Sequence, residues 1–225
     1  MLHDLVRKIS LIDGVEWIRL LYCYPEEITD ELIEEIANND KVVKYLDLPI
    51  QHISSKVLKQ MGRRTNKETI IDKIETLRNK VPNIALRTSL IVGFPGETEE
   101  EFNETYEYLK RIHLTKTHVF KYSPRKGTKA ADMPNQLDGT VKEMRSKALI
   151  ELNDINEHAF TEKFIGRVMD VLIEKEVKDK PDFYEGYTRN YIKVIVHCMS
   201  ANITGKIVDV KIEEAVKDYA IASMV

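Results

Sequence analysis

Four strand-like runs, WIRLLY at 17–22, KYLDLPI at 44–50, IALRTSLIVG at 84–93 and THVFKY at 117–122, are each followed by a stretch with helical periodicity. A β-α repeat of this kind forms parallel strands joined by right-handed crossovers, so it restricts the fold more than any other feature of the chain. The intervening helices are well marked. ITDELIEEIA follows the first run, and Thr65 and Glu68 have capping-box spacing ahead of Ile70, Ile71, Ile74 and Leu77. Thr98 and Glu101 repeat that spacing at the start of EEEFNETYEYLKRI. Parallel strands place their carboxyl ends on one rim, where α/β sheets and barrels bind ligands. Tyr24-Pro25, Pro49 to Ser54, Gly93 to Glu97 and Tyr122 to Gly127 are expected to share it. The first helical pattern, HDLVRKIS, has no strand before it, which leaves the run 17–22 as an apolar edge. Either a strand is missing in front or this helix caps a four-stranded sheet, and periodicity leaves both open.

After a polar connector at 128–139, TVKEMRSKALIELNDINEHAF reads as a long amphipathic helix opened by a Thr140/Glu143 box. Beyond Gly166 the period shortens. RVMDVLIEKE, FYEGY, NYIKVIVH, GKIVDVKIEE and DYAIASMV are short alternating strands, the pattern of a small antiparallel barrel. The expected division is therefore residues 1–160 and residues 161–225, and no solenoid repeat is visible.

Hydrophobic residues make up 43% of the 225, enough for a sizeable core, and the net charge of -3 gives no global basic field that would announce nucleic acid. No apolar stretch reaches the ~18 residues of a membrane span, and MLHDLVRKIS lacks the apolar centre of a signal peptide, so the cytoplasm is the expected location and no membrane partner is expected. Cys23 and Cys198 are the only cysteines and neither belongs to a Cys-x-x-Cys pair; the six histidines show no metal-site spacing. The chain is not expected to hold a metal by its own residues.

The segment TSLIVGFPGETEEEF, residues 88–102, carries a glycine turn from a strand into a helix. Such turns often bind phosphate, but Glu97, Glu99 and Glu100 already supply negative charge at this helix end and would repel it. A neutral or cationic ligand fits better; a capped turn without any ligand fits equally. Arg87 is a charge within an apolar strand, an expensive position unless it is paired or aimed into a cleft. In the C-terminal part Tyr187, Arg189, Tyr191 and Lys193 would share one face of a continuous strand and mix base with aromatic as RNA surfaces do. Glu174, Glu176, Glu213 and Glu214 support the alternative of a solvated mixed face.

Three phrases, YLDLPIQHISSKVLKQMGRR, LRTSLIVGFPGETEEEF and HVFKYSPRKGTKAADMPNQ, resemble in this order the radical S-adenosylmethionine methylthiotransferases. The resemblance covers nearly the whole chain. It implies a partial (β/α) barrel that binds S-adenosylmethionine, followed by a small all-β TRAM domain that grips the substrate. The implied reaction is reductive cleavage of S-adenosylmethionine at an iron-sulfur cluster, hydrogen abstraction by the resulting radical, and insertion of a methylthio group into an unactivated C-H bond. The family's Cys-x-x-x-Cys-x-x-Cys cluster motif is absent from this sequence, so the chain is expected to be a C-terminal part of such an enzyme, inactive alone. WIRLLYCYPEEITDELIEEI resembles members that modify an aspartate of a small-subunit ribosomal protein, whereas THVFKYSPRKGTKAADMP and YEGYTRNYIKV are more similar to members that act on threonylcarbamoyladenosine in tRNA. One natural sequence or a joined one could combine the two.

Carried over by position, the resemblance implies that Gln51 and Ser54 lie near the ribose and methionine parts of S-adenosylmethionine. Arg87 would hold its carboxylate, Gly93, Pro95 and Gly96 would let the backbone approach the nucleoside, and Phe120 and Tyr122 would flank adenine. Ser54 or Ser55 as a helix cap, and the aromatics as core, are the alternative readings. Two other functions stay open: a non-catalytic RNA- or ribosome-binding module on a vestigial barrel, and a cluster-independent enzyme with a titratable pair at the rim, for which Glu26, Glu27, His52 and Glu97 are the only candidates.

Overall fold

The computed structural model describes residues 1–199 and 203–225. Helix α1 (Leu2–Ser10) precedes a sheet of four parallel strands, β1 (Ile18–Leu20), β2 (Val42–Asp47), β3 (Ala85–Val92) and β4 (Lys116–Lys121), which lie side by side in chain order. Helices α2 (Asp30–Asn38), α3 (Ser55–Gln60), α4 (Lys67–Lys80) and α5 (Glu99–Ile112) make the crossovers. The expected partial (β/α) barrel is thus present.

Strand alternation explains why the helices seal only one face of the sheet. Along β3, Leu86, Thr88, Leu90 and Val92 are buried with Ile33, Leu46, Leu58, Ile70 and Leu77 in the core that the helices cover. Arg87, Ser89 and Ile91 point the other way, onto the face left open. At the edge formed by β1, Leu21 and Tyr22 are exposed.

The helix starts are decided by single side chains. At α5 the capping box read from the sequence forms: Thr98 Oγ1 accepts from the Glu101 N-H at 3.3 Å, and Glu101 Oε2 accepts from the Thr98 N-H at 2.8 Å. Two other caps are displaced from their expected positions. Asn66, in extended backbone, accepts from the Thr69 N-H at 2.9 Å and takes the place expected of Thr65, whose hydroxyl is buried without a partner. Asp138 accepts from the Thr140 N-H at 2.7 Å and opens α6 (Gly139–Glu162), while Glu143 turns away to pair with Lys121. The Asn66 amide, one residue after Thr65, and the Asp138 carboxylate, two residues before Thr140, reach the free N-H groups better than the threonines.

The C-terminal strands β5 (Val168–Glu176), β6 (Phe183–Thr188), β7 (Lys193–His197), β8 (Ile207–Val216) and β9 (Tyr219–Met224) close into a barrel in the order β5-β6-β7-β9-β8. It is not wholly antiparallel, because the β8–β9 hairpin brings β9 alongside β7 in parallel. Gly186 has a steric reason: a Cβ there would lie 2.2 Å from the Leu172 carbonyl oxygen, where β5 crosses β6. The run NYIKVIVH is not one strand. Thr188 to Ile192 form a tight turn in which the Ile192 N-H donates to Thr188 Oγ1 at 2.9 Å and Tyr191 has φ 70°. Tyr187 and Lys193 are therefore cross-strand neighbours, and Arg189 and Tyr191 sit on the turn rather than on a shared strand face.

The two units are packed together. Val43, Tyr45 and Ala85 on the open face join Phe160, Phe164 and the barrel interior in one apolar cluster. Among the described residues, no helix is long and apolar enough to cross a membrane.

The displaced cap gives a direct test. Asn66→Ala is expected to lower stability by about 1 kcal/mol in urea unfolding, and Glu68→Ala to leave it nearly unchanged.

Candidate functional site

The carboxyl ends of the parallel strands surround a cavity of about 780 Å³. Gln51, Arg87, Ser89, Ile91, Phe120 and Tyr122 line it. Gln51 follows β2 in the left-handed region, φ 68°, and bridges to β3: its N-H donates to the Ser89 carbonyl and its own carbonyl accepts from the Ile91 N-H, both at 2.9 Å. That backbone excursion places its side chain at the cavity. Phe120, at the end of β4, is exposed. Tyr122 packs edge-on against Phe94 with centroids 5.3 Å apart, and its hydroxyl is buried without a hydrogen-bond partner.

Arg87 is paired rather than free. Its Nη1 lies 2.5 Å from Asp47 Oδ2, and Asp47 is fully buried opposite it on β2. Burial pushes the Asp47 carboxyl above the usual range, and Arg87 only partly draws it back. The guanidinium lines both this cavity and a second one of about 560 Å³, between the sheet and the barrel.

Ser54 and the glycine turn lie elsewhere. Ser54 Oγ accepts from the Val57 N-H and caps α3, so its hydroxyl serves the helix. The turn at Gly93 to Glu97 folds around its own glutamate: the buried Glu97 carboxylate accepts from the Gly93 and Phe94 N-H groups. Gly96 donates to the Asn135 carbonyl at 3.0 Å, and Pro95 has no N-H to offer. Gly93, Pro95 and Gly96 accordingly do not line the cavity. Glu97 Oε1 also lies 3.3 Å from Arg145 Nη1 and 3.5 Å from His52 Nε2. The Ser54 N-H donates to His52 Nδ1 at 2.9 Å, which leaves the ring proton on Nε2, facing Glu97. The acid at the turn was visible in the sequence; its partners Arg145 and His52, 48 and 45 residues away, carried no sequence signal.

Of the barrel residues expected to face RNA, Arg189 and Tyr191 are engaged in joining the two units, whereas Tyr187 and Lys193 make their contacts within the barrel. Arg19 of β1 lies over the Tyr191 ring at 4.4 Å and the Tyr45 ring at 5.3 Å, and donates to the Arg189 carbonyl at 3.3 Å. Tyr187 stacks on Tyr191 with centroids 4.6 Å apart. Arg189 pairs with Asp170, donates to the Asp40 carbonyl and lies over the Trp17 ring. Lys193 pairs with Glu185 at 3.3 Å and, with Tyr187 and Tyr191, lines the second cavity.

Cys23 follows β1, Cys198 is buried in the barrel, and burial pushes the Cys23 thiol up. Among the described residues no three histidine, cysteine or acidic side chains come together as ligands.

Residues 1–109 match the Radical SAM superfamily and residues 162–225 match the TRAM domain. Escherichia coli coproporphyrinogen III oxidase (HemN), a radical SAM enzyme, shares the fold over 84% of this chain and 50% of its own, with a TM-score of 0.55 at 14% identity. The molecule is a radical SAM partial barrel joined to a TRAM barrel. Ribosomal protein uS12 methylthiotransferase RimO of Clostridium botulinum is 56% identical over 191 residues, 85% of this chain and 42% of that protein. Its namesake from Clostridium perfringens is 56% identical over 174 residues, 77% of this chain and 39% of that protein. The chain spans about two fifths of the length of these relatives. It belongs to the radical S-adenosylmethionine methylthiotransferase family, whose members use S-adenosylmethionine with a [4Fe–4S] cluster.

Two substitutions test this geometry. Glu97→Ala leaves two N-H groups without their acceptor and Arg145 without its ion-pair partner, and is expected to cost about 3 kcal/mol in urea unfolding; Glu97→Gln, which keeps an acceptor for the turn, should cost less. Tyr191→Ala is expected to remove about 1–3 kcal/mol and to separate the unfolding of the two units in calorimetry.

Proposed function

We propose that the chain forms the S-adenosylmethionine- and substrate-binding part of an enzyme that adds a methylthio group to the small-subunit ribosomal protein uS12 in the cytoplasm. The observation that carries this reading is the cavity at the strand carboxyl ends, where Gln51, Arg87, Phe120 and Tyr122 converge. Phe120 and Tyr122 offer aromatic faces for adenine. Gln51 can bond the ribose hydroxyls, and the Arg87 donors not used by Asp47 can reach the methionine carboxylate. The partnerless Tyr122 hydroxyl fits a polar ligand at this place.

The choice of uS12 over tRNA follows the relatives. A match over 191 of the 225 residues takes in 117–134 wherever it begins, so a relative named for uS12 accounts for a segment that resembles the tRNA enzymes. The TRAM match and the cavity-lining Tyr187 and Lys193 favour a second reading, in which the barrel contacts ribosomal or transfer RNA near the target.

The cluster supplies the reductive cleavage of S-adenosylmethionine, and its thiolates are not found among these residues. We therefore propose that the chain alone binds the cofactor without turnover and takes up no stoichiometric cluster on anaerobic reconstitution.

Calorimetric titration with S-adenosylmethionine tests the cavity assignment. The chain should bind it, and Phe120→Ala, at an exposed position with no structural partner to strand, should weaken binding about fivefold to tenfold. Binding that is indifferent to Phe120 would count against the site.

A further inference from the structure

At the end of the sheet where the strands begin, away from the proposed cofactor cavity, a third cavity of about 330 Å³ opens among the C-terminal ends of α4, α5 and α6. Ile84 and Thr115, just ahead of β3 and β4, lie on its wall. Arg78, Arg111 and Lys163 line it, and no carboxylate does. Among the described residues, none of these three cations has an ion-pair partner. Lys80 and Lys110, in the same last turns of α4 and α5, are paired with Glu34 and Glu107.

Each cation is held by a contact that leaves its charge uncompensated. Arg78 Nη2 donates to the His113 carbonyl at 3.0 Å, the Arg111 guanidinium lies 5.5 Å from the centroid of the Tyr108 ring, and Lys163 Nζ lies 5.9 Å from that of Phe160. His113 ends α5 in the left-handed region, φ 47°, and its Nδ1 lies 2.9 Å from Asn156 Oδ1 of α6, so the three helix ends are tied together. Cations at helix C-termini ordinarily offset the partial negative charge there. Three such ends supply roughly 1.5 negative charges against three full positive ones, which leaves a surplus of more than one charge.

The chemistry of the surface narrows its partner. Val81, Ile84, Ile112 and Phe160 of the lining are buried, so a protein would find no protruding apolar anchor. A small anion is held by converging N-H groups, whereas helix C-termini present carbonyls. Cations carried on three separate helices suit the successive phosphates of a nucleic acid strand, and with a net charge of -3 the chain can attract a polyanion only through a local excess of this kind. We infer that Arg78, Arg111 and Lys163 form a docking surface for the phosphate backbone of RNA, separate from the cofactor cavity. Thr115 and Phe160 also line the cavity beneath the barrel, so a strand docked here has a continuous path toward Tyr187 and Lys193.

The test is fluorescence anisotropy of a labelled single-stranded RNA oligonucleotide of mixed sequence with the full chain over a range of salt concentrations. Arg111 and Lys163 are exposed, and among the described residues their side chains donate no hydrogen bond, so Arg111→Gln and Lys163→Gln should leave urea unfolding unchanged. The chain should bind the oligonucleotide with an affinity that falls as salt rises. Each substitution should weaken binding about threefold to tenfold and lower the slope of log affinity against log salt by about 0.7, the share of one phosphate on a single strand. Arg111→Lys, which keeps the charge, should retain most of the affinity. No RNA binding, or binding indifferent to both substitutions, would overturn the inference. Binding lost only in Lys193→Gln would assign the RNA to the barrel and overturn it as well. So would polyglutamate that competes as well as RNA of equal charge, or inorganic phosphate that displaces the RNA better than chloride at the same ionic strength.

Discussion

The ion pair between Asp47 and Arg87 sits where neighbouring strands β2 and β3 meet on the open face of the sheet. A buried carboxylate is tolerated there only because a guanidinium lies 2.5 Å away, and that guanidinium is fixed by the same contact. Arg87 thereby becomes a shared wall. On one side lies the cavity at the strand carboxyl ends, and on the other the cavity beneath the C-terminal barrel. Removing Asp47 would leave Arg87 unpaired on both linings, and removing Arg87 would leave a buried carboxylate without its counter-charge.

The junction with the barrel depends on aromatic and cationic stacking rather than on a strand face turned to solvent. The turn from Thr188 to Ile192 presents Tyr191 to Arg19 and Tyr45, and Arg189 reaches back to Asp40 and Trp17. Residue types that mark RNA surfaces are the same types that make a half-wet domain interface, because both need flat apolar area with a polar edge. Only their position in the hairpin separates the two uses.

Local rules made most of the fold legible. The period-two and period-3.6 patterns located the four parallel strands, their helices and the five strands of the barrel, and the Thr98/Glu101 box was readable to the residue. What was not legible depended on contacts distant in sequence. The Glu97 carboxylate closes on its own turn with Arg145 and His52 behind it, which no spacing rule reveals, and so a turn that resembled a ligand cradle proves to be internally satisfied. The left-handed conformation of Tyr191 breaks a run that alternation alone extends from 190 to 197. Gln51, Arg87, Phe120 and Tyr122 were named by position from the resemblance, and strand topology brings them to one cavity; Arg63, on the same lining, carried no signal because it is placed there by a stacking contact with Tyr24, 39 residues earlier.

The most direct test of the central claim is a crystal structure of the chain with S-adenosylmethionine bound. The account places the adenine against Phe120 and Tyr122, the ribose near Gln51 and the carboxylate toward Arg87, with Glu97 still seated on the Gly93–Phe94 amides. A ligand seated on that turn with Glu97 displaced, or lodged instead in the cavity beneath the barrel, would contradict it.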